Sequence, residues 1–180
     1  MTDFTFAPPE PLHTEAGLAF ALERPQDGPL ADDLIDRAFG PGRYAKAAER
    51  LREGNRLRAD LSVCAWDGPA LVGAARQWPV RIGATRAVFL GPFAVEAAWR
   101  SRGLGAALIV RACALAQAAG ERLTLLVGDM AYFGVLGFEP VPPGQVVLPG
   151  PADPARILWR PHAPGALVGV AGPVRSAPED

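Results

Sequence analysis

Residues 93–106 read Phe-Ala-Val-Glu-Ala-Ala-Trp-Arg-Ser-Arg-Gly-Leu-Gly-Ala, and this stretch decides the fold. It leaves an apolar strand, passes through a basic loop with two glycines, and enters a helix predicted over Leu104–Ala119. The first amides of a helix have no backbone partner, and the helix dipole adds partial positive charge there. Gly103 and Gly105 remove the Cβ atoms that would keep an anion away. The stretch therefore predicts a seat for a diphosphate.

The spacing of the loop residues narrows the choice of ligand. Arg100, Gly103 and Gly105 form an Arg-x-x-Gly-x-Gly pattern directly after the strand. A dinucleotide-binding fingerprint would need Gly or Ala at Leu108, so that interpretation is disfavoured, and no P-loop sequence is present. A plain tight turn would also produce Gly-x-Gly, and this reading stays open.

Short elements with frequent turns surround the loop. Gly and Pro supply 20 and 19 of the 180 residues, which favours short strands and helices. The predicted strands are Leu18–Glu23, Leu61–Trp66, Leu71–Pro79, Ala87–Val95, Leu123–Val127, Val146–Leu148 and Ile157–Trp159. The predicted helices are Pro29–Phe39, Tyr44–Glu53, Leu104–Ala119 and Met130–Leu136. This order predicts an α+β class with one parallel crossover, in a single domain over residues 17–175 with tails at 1–16 and 176–180.

The fourth predicted strand contains a strand breaker. Gly91-Pro92 lies in the middle of Ala87–Val95. Proline has no amide to donate to a strand ladder, so we expect this strand to bulge or to splay from a neighbour at that point.

Composition excludes several classes of function. Lys and Arg number 18 against 19 Asp and Glu, so no global basic field exists to hold nucleic acid or an anionic membrane. Two cysteines and two histidines are too few for a disulfide framework or a structural zinc site. No apolar run is long enough to span a bilayer, and the Pro-rich N-terminal segment does not resemble a signal peptide. We expect a cytoplasmic enzyme or binding domain.

The loop also carries a resemblance to a known family. Arg100, Gly103 and Gly105 match the pattern Q/R-x-x-G-x-G/A of the GCN5-related N-acetyltransferase (GNAT) family, and the sequence resembles one subgroup of uncharacterised bacterial members. The resemblance covers roughly residues 18–175. The other segments that carry it are RAFGPGR (Arg37–Arg43), LGPFAV (Leu90–Val95), LLVGDMAYFGVLGFEPV (Leu125–Val141) and PGALVGVAGPVR (Pro164–Arg175).

The resemblance implies a GNAT-like acyl-CoA N-acyltransferase fold, with a central mixed sheet of about seven strands and helices on both faces. The sheet would splay between its fourth and fifth strands, and acetyl-CoA, as co-substrate without a metal, would lie in the gap with its pantetheine pairing like an added strand. The residues implied to bind the cofactor are Phe93, Ala94, Val95, Arg100, Ser101, Arg102, Gly103, Leu104, Gly105, Ala106 and Phe133.

The resemblance further implies direct attack by an amine on the thioester. In the family a tyrosine four residues before a Gly-Phe pair commonly protonates the leaving thiolate. Counted from Gly137-Phe138, that position holds Phe133, so the neighbouring Tyr132 is the candidate acid. Either Tyr132 reaches in by a local shift, or water protonates the thiolate, or activity is poor. Asp129, at the end of the fifth strand, is a candidate to accept the amine proton or to anchor a cationic substrate, and its alternative role is to cap the next helix.

The acceptor side is the least determined by sequence. Arg43, Tyr44 and Arg76 are candidates to bind the acceptor, which is a small-molecule or protein amine of unknown identity. The apolar run Ala166–Ala171 either completes the sheet or forms a homodimer edge. Two alternatives to an enzyme remain: a non-catalytic acyl-CoA-binding or regulatory module of the same fold, and an unrelated α+β domain whose glycine loop is only a turn.

Overall fold

A computed structural model of the chain describes residues 13–15, 17–40 and 47–178. These residues form ten strands and four α-helices. The strands are β1 (His13–Glu15), β2 (Leu18–Leu22), β3 (Val63–Asp67), β4 (Ala70–Ile82), β5 (Thr85–Val95), β6 (Leu123–Val127), β7 (Glu139–Pro140), β8 (Val146–Val147), β9 (Ile157–Pro161) and β10 (Gly172–Ser176). The helices are α1 (Gly28–Phe39), α2 (Ala47–Arg50), α3 (Leu104–Ala118) and α4 (Met130–Phe133).

One mixed sheet organises the fold, with helices on both of its faces. Its strand order is β1-β2-β3-β4-β5-β6-β9-β7, and β10 pairs with both β4 and β8. All pairs are antiparallel except β5 with β6 and β8 with β10. Helix α1 buries Leu34 and Ile35 against one face, and α3 buries Leu108 and Ile109 against the other. The prediction of an α+β sheet covered on both faces is confirmed.

The long strand β5 bulges at its glycine–proline pair. Ala75 of β4 faces Phe93 and Gln77 faces Leu90, so the two residues Gly91 and Pro92 lie opposite Arg76 alone. Gly91 has a φ of +138°, which a residue with a side chain rarely adopts. The indole Nε1 of Trp78 donates to the carbonyl of Gly91 at 2.8 Å and holds the bulge in place.

The sheet opens between β5 and β6. These parallel strands pair only at Val88 with Thr124 and at Phe89 with Leu125. Beyond Phe89, β5 continues to Val95 with no described strand on that edge. These are the fourth and fifth strands of the sequence analysis, because β1 precedes the first predicted strand. The predicted splay is therefore present, and it begins beside the bulge.

Several boundaries differ from the sequence expectation. Strand β4 continues through Pro79 to Ile82, because these residues pair with β5 on one side and Val80–Ile82 pair with β10 on the other; the carbonyl of Pro79 accepts from Asn55 Nδ2 and from the amide of Ala177. The helix predicted over Tyr44–Glu53 lies partly outside the described residues, and its described part is helical only over Ala47–Arg50.

Three short strands were not predicted at all. Strand β1 lies within residues 1–16, which the sequence analysis treats as a tail, and β10 runs one residue past the predicted domain end at 175. Strand β7 is only two residues long. In the part of the chain that the structure describes, no helix has the length and apolar character needed to cross a bilayer.

Candidate functional site

A cleft of about 830 Å³ occupies the gap between β5 and β6. Its floor is the open edge of β5, one end is the loop that leads into α3, and the far wall belongs to α4 and to the segment before β9. The predicted cofactor and catalytic residues that line it are Phe93, Ala94, Val95, Arg100, Ser101, Gly103, Gly105, Ala106, Asp129, Tyr132 and Phe133. Arg102 and Leu104 are the predicted cofactor residues that do not line it.

The first amides of helix α3 lie at the cleft and have no hydrogen-bond acceptor within the described part of the chain. Its backbone ladder begins where the amide of Ala107 donates to the carbonyl of Gly103 at 3.0 Å. Among the described residues, no carbonyl or side chain accepts from the amides of Leu104, Gly105 or Ala106. The amide of Arg100, which the sequence analysis counted in the same group, is instead taken by the carbonyl of Ala97 at 3.3 Å.

The loop before α3 has an unusual backbone. Gly103 has a φ of +82°, and a Cβ placed on it would meet no atom within 4 Å. Ser101 has a φ of +60°, the left-handed conformation that a non-glycine residue adopts at a cost of about 1 kcal/mol. Both conformations turn the chain sharply, so the first amides of α3 face the cleft rather than the loop that precedes them.

Positive charge surrounds the free amides. The Nε of Arg100 donates a hydrogen bond to the carbonyl of Val95 at 3.2 Å, which fixes the guanidinium at the end of β5. The guanidinium of Arg102 lies 5.4 Å from the ring centre of Trp99. Within the described residues neither arginine forms an ion pair, whereas the nearby Glu96 is neutralised by Arg37. An anion at the start of α3 would therefore meet the uncompensated charge of Arg100 in the cleft, while Arg102, outside the cleft lining, adds positive potential at longer range.

Helix α4 begins at the carboxylate of Asp129. Asp129 Oδ1 accepts from the amide of Ala131 at 2.9 Å, which is the capping role that the sequence analysis gave as its alternative. The residue is exposed and lines the cleft, so capping leaves it in contact with the cleft. Capping fixes where the helix starts, and the start decides which way Tyr132 and Phe133 point.

The rings of Phe133 and Tyr132 point in different directions. Phe133 is 5% exposed and packs edge-on against Phe93 and Phe138, with ring centres 5.7 and 5.6 Å apart. Tyr132 is 40% exposed, and its ring lies nearly parallel to that of Phe93, with an angle of 13° and a centre distance of 6.2 Å. No hydroxyl therefore occupies the position that the resemblance assigns to the acid.

The hydroxyl of Tyr132 lies at the start of α3. A Cβ built on Gly105 would lie 2.6 Å from this oxygen. Burial raises the pKa of the Tyr132 phenol above its ordinary value near 10, so the group is protonated at neutral pH. The acid role of Tyr132 stays a prediction, and the local shift that it would need starts from this position.

Arg76 does not reach the cleft. Its predicted role as an acceptor-binding residue is wrong, because its side chain is buried beneath α1, where its Nε donates to both carboxylate oxygens of Glu23 at 2.9 and 3.0 Å. Asp32 and the carbonyl of Gly28 take the remaining guanidinium nitrogens at 2.6 and 3.1 Å. The other two candidates, Arg43 and Tyr44, lie outside the described residues.

Sequence reasoning missed the cleft residues that lie on α1, on and just after α2, and before β9. They come from segments distant along the chain, and no local pattern marks them: Ala38, Phe39, Ala47, Ala48, Arg52, Pro151, Ala152, Asp153 and Arg156. Arg52 pairs with Glu49, and Asp153 caps a short turn by accepting from the amide of Ala155 at 3.0 Å. Only tertiary contact brings these residues to the cleft.

Comparison with known proteins gives the same picture. The profile of the acetyltransferase (GNAT) family matches residues 30–138. A GNAT family N-acetyltransferase of Escherichia coli (YhbS), solved in complex with CoA, is similar at 26% identity and a TM-score of 0.77, over 92% of this chain and 93% of that one. A GNAT family acetyltransferase of Brucella melitensis, solved with acetyl-CoA, is 26% identical with a TM-score of 0.61, over 82% of this chain and 89% of that one.

A more distant structure shares the fold alone. The ribosomal-protein-S18-alanine N-acetyltransferase of Escherichia coli is 17% identical with a TM-score of 0.59, over 81% of this chain and 94% of that one. No curated protein matches the sequence.

Proposed function

Because the chain belongs to the acetyltransferase (GNAT) family, we propose that it moves the acetyl group of acetyl-CoA to an amine by direct attack within a ternary complex. The observation that carries the proposal is the cleft between β5 and β6, which ends on the free first-turn amides of α3. Two similar structures hold CoA and acetyl-CoA, which supports the same co-substrate here.

The cofactor would be held mostly by backbone. The diphosphate would sit on the amides of Leu104 to Ala106, with Arg100 and Arg102 adding charge. The pantetheine would run along the free edge of β5 at Phe93 to Val95, pairing as an added strand. This arrangement needs few specific side chains, which agrees with a loop whose distinctive residues are glycines.

Catalysis would depend mainly on positioning. A thioester is already activated, so an amine held against its carbonyl carbon needs no covalent intermediate on the protein. A backbone amide of β5 near the bulge would donate to the thioester oxygen as negative charge develops there. Beyond the bulge no described strand pairs with β5 on the cleft side, and Trp78 keeps the bulge fixed.

The amine must lose a proton before it attacks. We assign Asp129 to receive that proton through water or to anchor a cationic acceptor, because it is the exposed carboxylate at the end of β6 that lines the cleft. The thiolate would take its proton from water, since Phe133 fills the position of the family tyrosine. Arg43 and Tyr44 remain the proposed acceptor contacts.

The test combines binding and turnover. Calorimetry with acetyl-CoA, and CoA-thiol release across a panel of small amines and peptide N-termini, should both give a signal with the wild-type chain. Gly103→Asp should abolish binding, because its carboxylate would occupy the diphosphate seat. Gly165→Asp is the matched control: Gly165 also has a positive φ, +73°, and open space around it, but lies away from the cleft. Equal loss in both variants, or unchanged affinity in Gly103→Asp, would contradict the proposal.

A second function follows from Phe133. A chain that keeps the cofactor cleft but places no hydroxyl at the family position could serve as an acyl-CoA-binding or regulatory module. Tight acetyl-CoA binding with no thiol release for any amine of the panel favours the module, and release that depends on one amine favours the enzyme.

A further inference from the structure

The phenol of Tyr132 lies closer to the proposed diphosphate seat than the ring of Phe133 does. Capping by Asp129 directs Phe133 into the core, where its ring packs so closely on Gly128 that a Cβ there would lie 2.2 Å from the Phe133 Cε2 atom. Tyr132 consequently points along the cleft toward α3, steadied by the parallel ring of Phe93.

The oxygen of Tyr132 reaches the first turn of α3. A Cβ built on Gly105 would lie 2.6 Å from the Tyr132 hydroxyl oxygen and 3.8 Å from the Tyr132 Cζ atom. The oxygen is therefore the part of the ring that points toward the helix. Among the described residues, no hydrogen bond uses this hydroxyl. The amide of Gly105 beside it is also without a protein acceptor. A donor hydroxyl and free amides therefore converge on one place.

We propose that the Tyr132 hydroxyl donates a hydrogen bond to a diphosphate oxygen of CoA, and that Tyr132 is a cofactor-binding residue rather than the acid for the thiolate. This inference rests on the proposed function, because it takes CoA as the ligand of the cleft. A phenol with a raised pKa stays protonated through the neutral range and remains a donor there. A hydroxyl beside Gly105 adds a neutral side-chain donor to a site otherwise built from backbone amides and arginine side chains.

The decisive variant is Tyr132→Phe, which removes one oxygen from a half-exposed ring and leaves the stack on Phe93. A hydrogen bond to a charged group corresponds to roughly a tenfold or greater change in affinity. We expect the dissociation constant of CoA, measured by calorimetry, to rise about tenfold. The affinity of pantetheine, measured by competition, should not change, because pantetheine lacks the diphosphate. The kcat at saturating acetyl-CoA should stay within about twofold, while the KM for acetyl-CoA rises.

Phe133→Tyr in the Tyr132→Phe background is the matched control, since it returns a hydroxyl one residue away. It should not restore CoA affinity. Unchanged CoA affinity in Tyr132→Phe overturns the inference. A fall in kcat would then indicate that Tyr132 is the acid for the thiolate, and an unchanged kcat would indicate that it only packs beside the cofactor. An equal loss for pantetheine and CoA also overturns it. A wild-type chain that binds no CoA at all contradicts the proposed function itself, which is a different result from a tenfold loss in one variant.

Discussion

The guanidinium of Arg76 binds the carboxylate of Glu23 beneath α1 through three hydrogen bonds of 2.6 to 3.0 Å. Arg76 occupies the position of β4 that faces the β5 bulge. Burial raises the pKa of Glu23, although its bonds with Arg76 act in the opposite direction. The pair thus joins the segment before α1 to the middle of the sheet.

Removing one partner of this pair should destabilise the fold. Arg76→Met leaves the Glu23 carboxylate buried without its cation, which typically costs about 3–5 kcal/mol. Urea unfolding measures the loss. Arg86→Met is the control, because Arg86 is 55% exposed and its nearest carboxylate is 3.8 Å away, so it should cost less than about 1 kcal/mol. An Arg76→Met protein of wild-type stability with a raised acceptor KM would instead return Arg76 to the substrate site.

Acid should destabilise the protein through His162. Its Nε2 lies 2.9 Å from Thr124 Oγ1, and burial, followed by the charge of Arg160, lowers its pKa from 6.5 to about 4. Between those values the unfolded chain binds a proton that the folded chain does not, so stability is lost as the pH falls through this window.

The loss is expected to reach about 2 kcal/mol, and His162→Gln should remove most of it because glutamine keeps a partner for Thr124 but cannot ionise. Thermal unfolding of both proteins at pH 7, 6, 5 and 4.5 checks this. Parallel curves for the two proteins across the window would show that His162 does not titrate as expected.

The contact between Gly105 and Tyr132 can be tested without any ligand. Gly105→Ala would place a methyl group 2.6 Å from the Tyr132 hydroxyl, so one of the two must move; because the half-exposed Tyr132 ring can turn away, the cost should be about 1 kcal/mol, at the low end for overpacking. In a Tyr132→Phe background the same methyl group meets only ring carbons, of Phe93 at 3.5 Å and of residue 132 at 3.8 Å, and alanine's higher helix propensity should make the change neutral or stabilising. A double-mutant cycle of unfolding free energies measures the coupling. Additive effects would place the hydroxyl elsewhere.

The left-handed backbone at Ser101 predicts a strict preference at that position. Ser101→Val should lose about 1–2 kcal/mol, because a β-branched residue is strained at a φ of +60°. Ser101→Gly should be close to neutral. Ala98→Val, three residues earlier and also exposed, serves as the control for added bulk. If Ser101→Val costs no more than Ala98→Val, the turn before α3 is not fixed in this conformation.

Local chemistry explains which parts of the fold were predictable. Strand β6 was predicted with its observed bounds, because Leu123–Val127 is apolar except for Thr124, and such a short run favours a strand that is covered on both faces. The bulge was predictable because proline cannot donate within a ladder. The start of α3 followed from Gly103, whose left-handed turn before the helix is a local property.

The parts that escaped prediction depend on distant partners. Strand β10 begins with Gly172-Pro173, which reads as a turn, and becomes a strand only because β4 and β8 lie beside it. The direction of Tyr132 required the cap at Asp129 and the space at Gly128 to be known together. Arg76 looked like a cleft residue because a sequence does not show that Glu23 lies across from it. Each of these is set by packing between segments far apart along the chain.

Strand β10 also bears on how the protein is made. It covers Val80–Ile82 on the side of β4 that β3 leaves free, since β3 reaches only Ala75 and β5 holds the opposite side. Until residues 172–176 have been synthesised, a nascent chain on the ribosome therefore carries a central strand whose margin at Val80–Ile82 has no strand paired with it. During that interval the margin is open to any other extended polypeptide, so newly made copies should depend on chaperones more than the finished protein does.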